Sequence, residues 1–157
     1  NVIRSFPFVI LVIAMIPITR LVAGRAIGAT AAAVPLSVAA IPFFARLVEQ
    51  ALRDVPRGVA EAAVASGAST SQVVRKVLLP EALPALIASF TTTVISFIAF
   101  SATAGLVGGG GIGDLAIRYG YNRFIEEVMY ACVVILIVAV QVVQITGSLA
   151  VRMVDKR

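Results

Sequence analysis

Few residues in this chain could carry out chemistry on a substrate. Its 157 residues include no histidine and a single cysteine, Cys132, and its lysines are Lys76 and Lys156. Metal sites and activated nucleophiles need clusters of such side chains, and an intramembrane enzyme would place acids, His or Cys within its apolar segments. Because only Cys132 lies in such a segment, the sequence argues against catalysis and against a metal site.

The glycine-rich segment contains a pattern typical of cofactor binding. Gly108, Gly110 and Gly113 satisfy the dinucleotide-binding spacing G-x-G-x-x-G, and Asp114 follows. That spacing binds a pyrophosphate only between the strand and helix of a βαβ unit, whereas a long apolar segment precedes it here. The sequence also has no Gly-Lys pair for a phosphate-binding loop. We therefore expect no cofactor, and we interpret these glycines as a flexible outer loop.

Composition predicts that lipid is the solvent of this chain. Hydrophobic residues make up 60% and charged residues 13%, with a mean hydropathy of +1.02, whereas soluble domains contain about 25% charged residues. The net charge of +5 could suggest a nucleic-acid partner. However, Lys and Arg lie between apolar blocks rather than along one face with aromatic residues, so we expect no nucleic acid.

Four apolar segments are long enough, or nearly so, to cross a bilayer, which takes about 20 residues per helix. They cover approximately residues 5–22, 27–47, 81–107 and 128–151. No Ser/Gly linker or internal repeat divides the chain, so the sequence predicts an all-α integral membrane protein with one domain over residues 1–157. Because the first span begins almost at Asn1, we expect a further N-terminal helix to be missing.

Positive charge near the ends of the spans predicts their orientation. If the polar segment 54–80 is cytoplasmic, nine basic residues lie inside and four outside. The inner set is Arg4, Arg46, Arg53, Arg57, Arg75, Lys76, Arg152, Lys156 and Arg157, and the outer set is Arg20, Arg25, Arg118 and Arg123. This asymmetry, and the even number of spans, predict a cytoplasmic C-terminus.

The polar segment 54–80 contains start and stop signals for two short helices. Pro56 suits a first helical turn, and Gly67 permits the positive φ that commonly ends a helix. Ser69 and Gln72 have the spacing of a capping box that starts the second helix. We expect Leu79-Pro80 to end this unit, which would be a rigid knob between two spans.

The residues of this segment also match a known loop. Glu61-Ala62-Ala63, Gly67, Val77 and Leu79-Pro80 follow the spacing EAA-x3-G-x9-I-x-LP, with Val77 at the isoleucine position. This resembles the EAA loop in the membrane-spanning subunits of bacterial ABC importers, which a separate ATPase subunit contacts. The resemblance implies a coupling surface formed by Glu61, Ala62, Ala63, Gly67, Leu79 and Pro80.

Longer segments resemble the permease subunit of bacterial methionine importers. They include RSFPFVILVIAMIPITRLVAG, VPLSVAAIPFFARLVEQALRDVPRGVAEAA and VRKVLLPEALPALI. The resemblance implies a type I ABC importer bundle in the bacterial inner membrane, which moves D- or L-methionine inward by alternating access. It also implies a second copy of the chain, two ATP-binding subunits that hydrolyse ATP, and an extracytoplasmic substrate-binding lipoprotein. An importer of another small solute, such as a polar amino acid or a quaternary amine, is the alternative.

Hydroxyl side chains interrupt the third span, at Thr91, Thr92, Thr93, Ser96, Ser101 and Thr103. They could bond carbonyl groups of their own helix or line a transport pathway. Ser96 and Thr103 are the candidates for the pathway, because a separation of about two turns places them near one helix face. The spans carry no acid or base in their interiors, which argues against proton-coupled transport.

Overall fold

The computed structural model describes residues 7–155, and this part of the chain consists of helices and turns, without a strand. The all-α prediction is therefore confirmed. In chain order the helices are α1 (Phe8–Ala14), α2 (Ile16–Ala23), α3 (Ala29–Arg53), α4 (Arg57–Ala65), α5 (Thr70–Val107), α6 (Gly111–Leu115, continued by a π-helical turn Ala116–Tyr121) and α7 (Glu126–Val154).

Three helices of the described region are long and apolar enough to cross a membrane. They are α3 with 25 residues, α5 with 38 and α7 with 29, and they correspond to the second, third and fourth predicted spans. Helix α5 packs against both α3 and α7. The core of the described region is thus built around α5.

The first predicted span, residues 5–22, is not one helix. It divides at Met15 into α1 and α2, because Pro17 has no amide hydrogen and its ring would clash with the Ile13 carbonyl of an unbroken helix. Residues 5 and 6 of that span lie outside the described residues, as do Arg4, Lys156 and Arg157 from the charge count.

A ladder of phenylalanine rings joins α1, α3 and α5. Phe97 lies 5.9 Å from Phe43 and 5.3 Å from Phe100 between ring centroids, both in edge-on geometry. Phe100 in turn stacks on Phe8 of α1 at 5.0 Å. Such pairs stabilise beyond the area they bury, so they fix α1 and α3 on one side of α5.

The glycine-rich segment is helical in part. Gly113, interpreted as part of a flexible loop, lies in α6, whereas Gly108 and Gly110 lie in the turn between α5 and α6. A side chain on Gly113 would collide with the Ala102 carbonyl group, and one on Gly105 would collide with the backbone of α6. The amide of Gly28 also donates a hydrogen bond to the Gly108 carbonyl, at 2.9 Å. These glycines let the backbone of α6 lie directly on the end of α5.

Helices α5 and α7 approach most closely where Gly147 faces Thr91. A side chain on Gly147 would collide with the Thr91 hydroxyl and methyl groups. Small residues of this kind allow close helix contact in membranes, where lipid offers no hydrophobic drive for association. The contact fixes the spacing of the two longest helices.

We predict that Gly147→Val destabilises the protein by about 1–3 kcal/mol, the usual cost of overpacking. Thermal unfolding of the purified protein measures this loss. Gly58→Val is the matched control, because a side chain on Gly58 meets no atom within 4 Å. Equal midpoints for the two variants would contradict the close α5–α7 contact.

Candidate functional site

The segment between α3 and α5 projects as an exposed helical unit, which we call the knob (residues 57–78). Its first helix, α4, contains no buried residue, and the side chains of Val59 and Val64 are 38% and 61% exposed. Helix α4 packs against the π-helical turn Val73–Leu78 at the start of α5. The knob therefore presents an apolar helix that the described chain leaves uncovered.

The C-terminus of α4 is closed by a Schellman motif, in which backbone amides beyond the helix bond its last carbonyl groups. Gly67 has a φ of 82°, and its amide donates to the Val64 carbonyl at 2.9 Å. The amide of Ala68 donates to the Ala63 carbonyl at 3.1 Å. The positive φ predicted for Gly67 is confirmed.

The N-terminus of α5 is closed by the predicted capping box. The Ser69 amide donates to Gln72 Oε1 at 2.8 Å, and the Gln72 amide donates to Ser69 Oγ at 3.4 Å. Hydrogen bonds thus close both of the helix ends that meet at residues 66–69. A corner capped on both sides has few alternative conformations, so the angle between α4 and α5 is fixed.

The second helix of the knob does not end at Leu79-Pro80, so the prediction of a second short helix was wrong, whereas the first short helix is present as α4. Helix α5 instead runs without a break from the knob through 38 residues. In the π-helical turn Val73–Leu78 the Leu79 amide bonds the Val74 carbonyl, five residues earlier. This wider turn relieves the clash that Pro80 would cause in a regular helix. The knob is therefore one end of the longest helix.

The residues predicted to contact an ATPase lie on two parts of this unit. Glu61 and Ala62 are exposed on α4, Ala63 is half-buried, and Gly67 is exposed at the corner. Leu79 and Pro80 are exposed on α5, directly after the π-helical turn that α4 packs against. The sequence interpretation did not single out Val59 and Val64. The only sequence feature that pointed to them is that α4 consists almost entirely of Ala and Val.

Five hydroxyl groups of α5 bond carbonyl groups of their own helix. Each donates to the carbonyl four residues earlier, at 2.8–3.0 Å, in the pairs Thr91–Ile87, Thr92–Ala88, Thr93–Ser89, Ser96–Thr92 and Thr103–Ala99. These hydroxyls therefore bond their own helix, which was the first of the two interpretations offered by the sequence. Ser96 and Thr103 are half-exposed, and their role in a pathway stays a prediction.

The described residues 7–155 contain no group of His, Cys, Asp and Glu side chains arranged to hold a metal ion. Cys132 is 1% exposed in α7.

Comparison with known proteins gives consistent matches over the chain. Residues 1–157 match the family described as "Binding-protein-dependent transport system inner membrane component". A probable D-methionine transport system permease protein, MetI, of Vibrio cholerae is 54% identical over 157 residues, which are 100% of this chain and 70% of that protein. The methionine import system permease protein MetP of Bacillus subtilis is 43% identical, over 100% of this chain and 71% of its own.

A solved structure has the same fold. It is the MetNI methionine ABC transporter in an inward-facing conformation, with a TM-score of 0.94 and 47% identity, over 99% of this chain and 72% of the matched chain. The family match, the identities and the shared fold agree with the long apolar helices and the exposed knob. This chain therefore belongs to the binding-protein-dependent transport system inner membrane component family.

Proposed function

We propose that this chain is the permease subunit of an ABC importer that moves methionine, as D- or L-isomer, into the bacterial cytoplasm. The observation that carries the proposal is the knob, a capped and exposed helix pair with the EAA residues on its surface. The relatives named for methionine transport support the choice of substrate. An importer of another small solute, such as a polar amino acid or a quaternary amine, is the alternative.

The knob would receive the motion of an ATP-binding partner. Its apolar side chains, Val59 and Val64, and the small residues Ala62 and Ala63 suit a groove on another protein. Because α5 is continuous with the knob, a displacement of α4 would be transmitted to the membrane-spanning part of α5 without an intervening flexible segment. Since α5 packs against α3 and α7, these helices would tilt with it between inward-open and outward-open states.

The proposed assembly contains two copies of this chain, two ATP-binding subunits and an extracytoplasmic substrate-binding lipoprotein in the lipid bilayer. ATP hydrolysis would belong to the ATP-binding subunits. The match to a MetNI ABC transporter and the family description "binding-protein-dependent" support this composition.

The proposed orientation places the knob and the C-terminus in the cytoplasm. A cleft of about 200 Å³ is lined by Asp54 and Pro56 before α4, Glu81 of α5 and Asp155 after α7. The end of α7 therefore lies beside the base of the knob. If the knob contacts a cytoplasmic ATPase, the C-terminus is on the same side.

The position of the charged residues in the long helices supports a net-neutral solute. Charged residues in α3, α5 and α7 lie near the helix ends, for example Arg46 in α3, Glu81 in α5 and Arg152 in α7. An unpaired charge in the membrane interior costs roughly 3 kcal/mol or more. Methionine is a zwitterion with an apolar side chain, so it would need no counter-charge from these helices.

Uptake of labelled methionine tests the substrate directly. We expect ATP-dependent accumulation in cells that lack their own methionine importers and receive this chain together with its partner subunits. The same cells without the permease gene are the control. Uptake of a betaine or a cationic amino acid, with none of methionine, would favour the alternative importer.

Substitution of Gly67 tests the coupling role. Gly67→Val forces a β-branched residue into left-handed backbone, at a cost of about 1–2 kcal/mol, so we expect normal membrane insertion and at least tenfold slower uptake. Gly67→Asn should retain most uptake because Asn tolerates this conformation. Gly58→Val is the control on the same knob, and Glu61→Lys should weaken assembly with the ATPase. Full uptake by both Gly67→Val and Glu61→Lys would rule out the coupling role.

Cysteine labelling tests the orientation. In a Cys132→Ala background, we expect an impermeant thiol reagent added outside to label Asn122→Cys and not Ser71→Cys. Both positions are exposed, so accessibility alone does not separate them. Lysed membranes should label at both sites. The opposite pattern in intact cells would reverse the proposed topology.

A further inference from the structure

A polar stripe runs along the second half of α7, the most apolar of the long helices, which contains an 18-residue stretch with a mean hydropathy of 2.6. Gln141, Gln144, Ser148 and Arg152 follow one another at intervals of three or four residues, so they share a helix face. All four are exposed. Exposed amides in a membrane-spanning helix are costly without a partner, and the proposed transport mechanism does not use these residues.

The stripe forms one wall of a groove between α5 and α7, with a volume of about 270 Å³. Its lining includes Thr91, Thr92, Gln144, Ser148, Val151 and Arg152. The close contact of Gly147 with Thr91 holds the two helices together at the groove. Its shape therefore depends on packed backbone rather than on a mobile loop.

The hydrogen-bonding groups of the groove select for an anion. The hydroxyls of Thr91, Thr92 and Ser148 donate to carbonyls of their own helices, so they can only accept further bonds. Gln144 and Arg152, in contrast, make no hydrogen bond or ion pair within residues 7–155. In this part of the chain the free donors thus belong to one amide and one guanidinium group, and no carboxylate of the described residues lines the groove.

The surroundings of the groove are apolar. Val142, Ile145 and Leu149, on neighbouring faces of α7, are 55%, 55% and 51% exposed. The end of α7 lies beside the base of the knob, in the cleft shared by Asp155 and Glu81. The groove is therefore on the knob side of the membrane, which under the proposed function is the cytoplasmic leaflet.

We propose that this groove binds an anionic phospholipid of that leaflet. Arg152 would bind the phosphate group, because guanidinium and phosphate form strong charge-assisted hydrogen bonds. Gln144 lies two turns deeper, about 12 Å along the helix, where its amide would donate to an ester carbonyl of the lipid. The acyl chains would lie against Val142 and Ile145. A zwitterionic lipid would bind less well, since the groove has no carboxylate to pair with its amine.

Native mass spectrometry of the purified transporter complex tests this site, with phosphatidylglycerol and phosphatidylethanolamine of identical acyl chains as probes. We expect phosphatidylglycerol to be retained preferentially. Arg152→Gln should weaken its binding by about tenfold, in line with the loss of a charge-assisted contact, and Gln144→Leu should weaken it less. Arg20→Gln, which removes an exposed cation from α2, is the matched control and should change nothing.

Three results would overturn the site. The first is equal retention of both lipids, and the second is an equal loss in Arg152→Gln and Arg20→Gln. The third is disulfide formation between two copies of the chain that carry Ser148→Cys in a Cys132→Ala background, because a second copy would then cover the groove. Only the choice of leaflet rests on the proposed function. Retention of phosphatidylglycerol without methionine uptake would contradict the function and leave the lipid site standing.

Discussion

The proposed coupling depends on one mechanical constraint, which is the fixed corner between α4 and α5. Gly67 closes the end of α4 through left-handed backbone, and Ser69 and Gln72 close the start of α5 through reciprocal hydrogen bonds. The helix that leaves this corner continues for 38 residues. A force applied to α4 therefore acts on a rigid lever that extends into the bundle.

The remaining contacts determine what that lever can move. Helix α5 packs on α3 and α7, with the phenylalanine ladder on one side and the Gly147–Thr91 contact on the other. Along its membrane part the buried hydroxyls of Thr91 and Thr93 are satisfied by their own helix. Since they require no partner from a neighbour, a tilt of α3, α5 and α7 leaves neither hydroxyl unpaired.

Local signals made the knob predictable from sequence. The φ of Gly67 and the capping box of Ser69 each depend on a few adjacent residues, and the structure has both. The length of the apolar segments also predicted the three long helices. These features require little information about tertiary structure, which is why sequence patterns were sufficient.

The errors arose where the wider context decided the outcome. Pro80 was expected to end a helix, yet the π-helical turn Val73–Leu78 accommodates its ring and the helix continues. Gly113 was interpreted as part of a flexible loop because sequence does not show that Ala102 lies against it. The polar groove was missed for a similar reason, since it appears only when Thr92 of α5 and Arg152 of α7 are placed side by side.

Distance measurements between spin labels test the fixed corner between α4 and α5. Labels would be placed singly at Arg57 on α4 or at Leu83 on α5, both exposed, in a Cys132→Ala background of the assembled transporter. Neither residue belongs to the surface proposed to contact the ATPase. Each label reports the separation of the two copies. Trapping the ATP-bound state should shift both separations in the same direction, with narrow distributions. A shift at Arg57 without any shift at Leu83 would show that the corner bends, and would contradict rigid coupling.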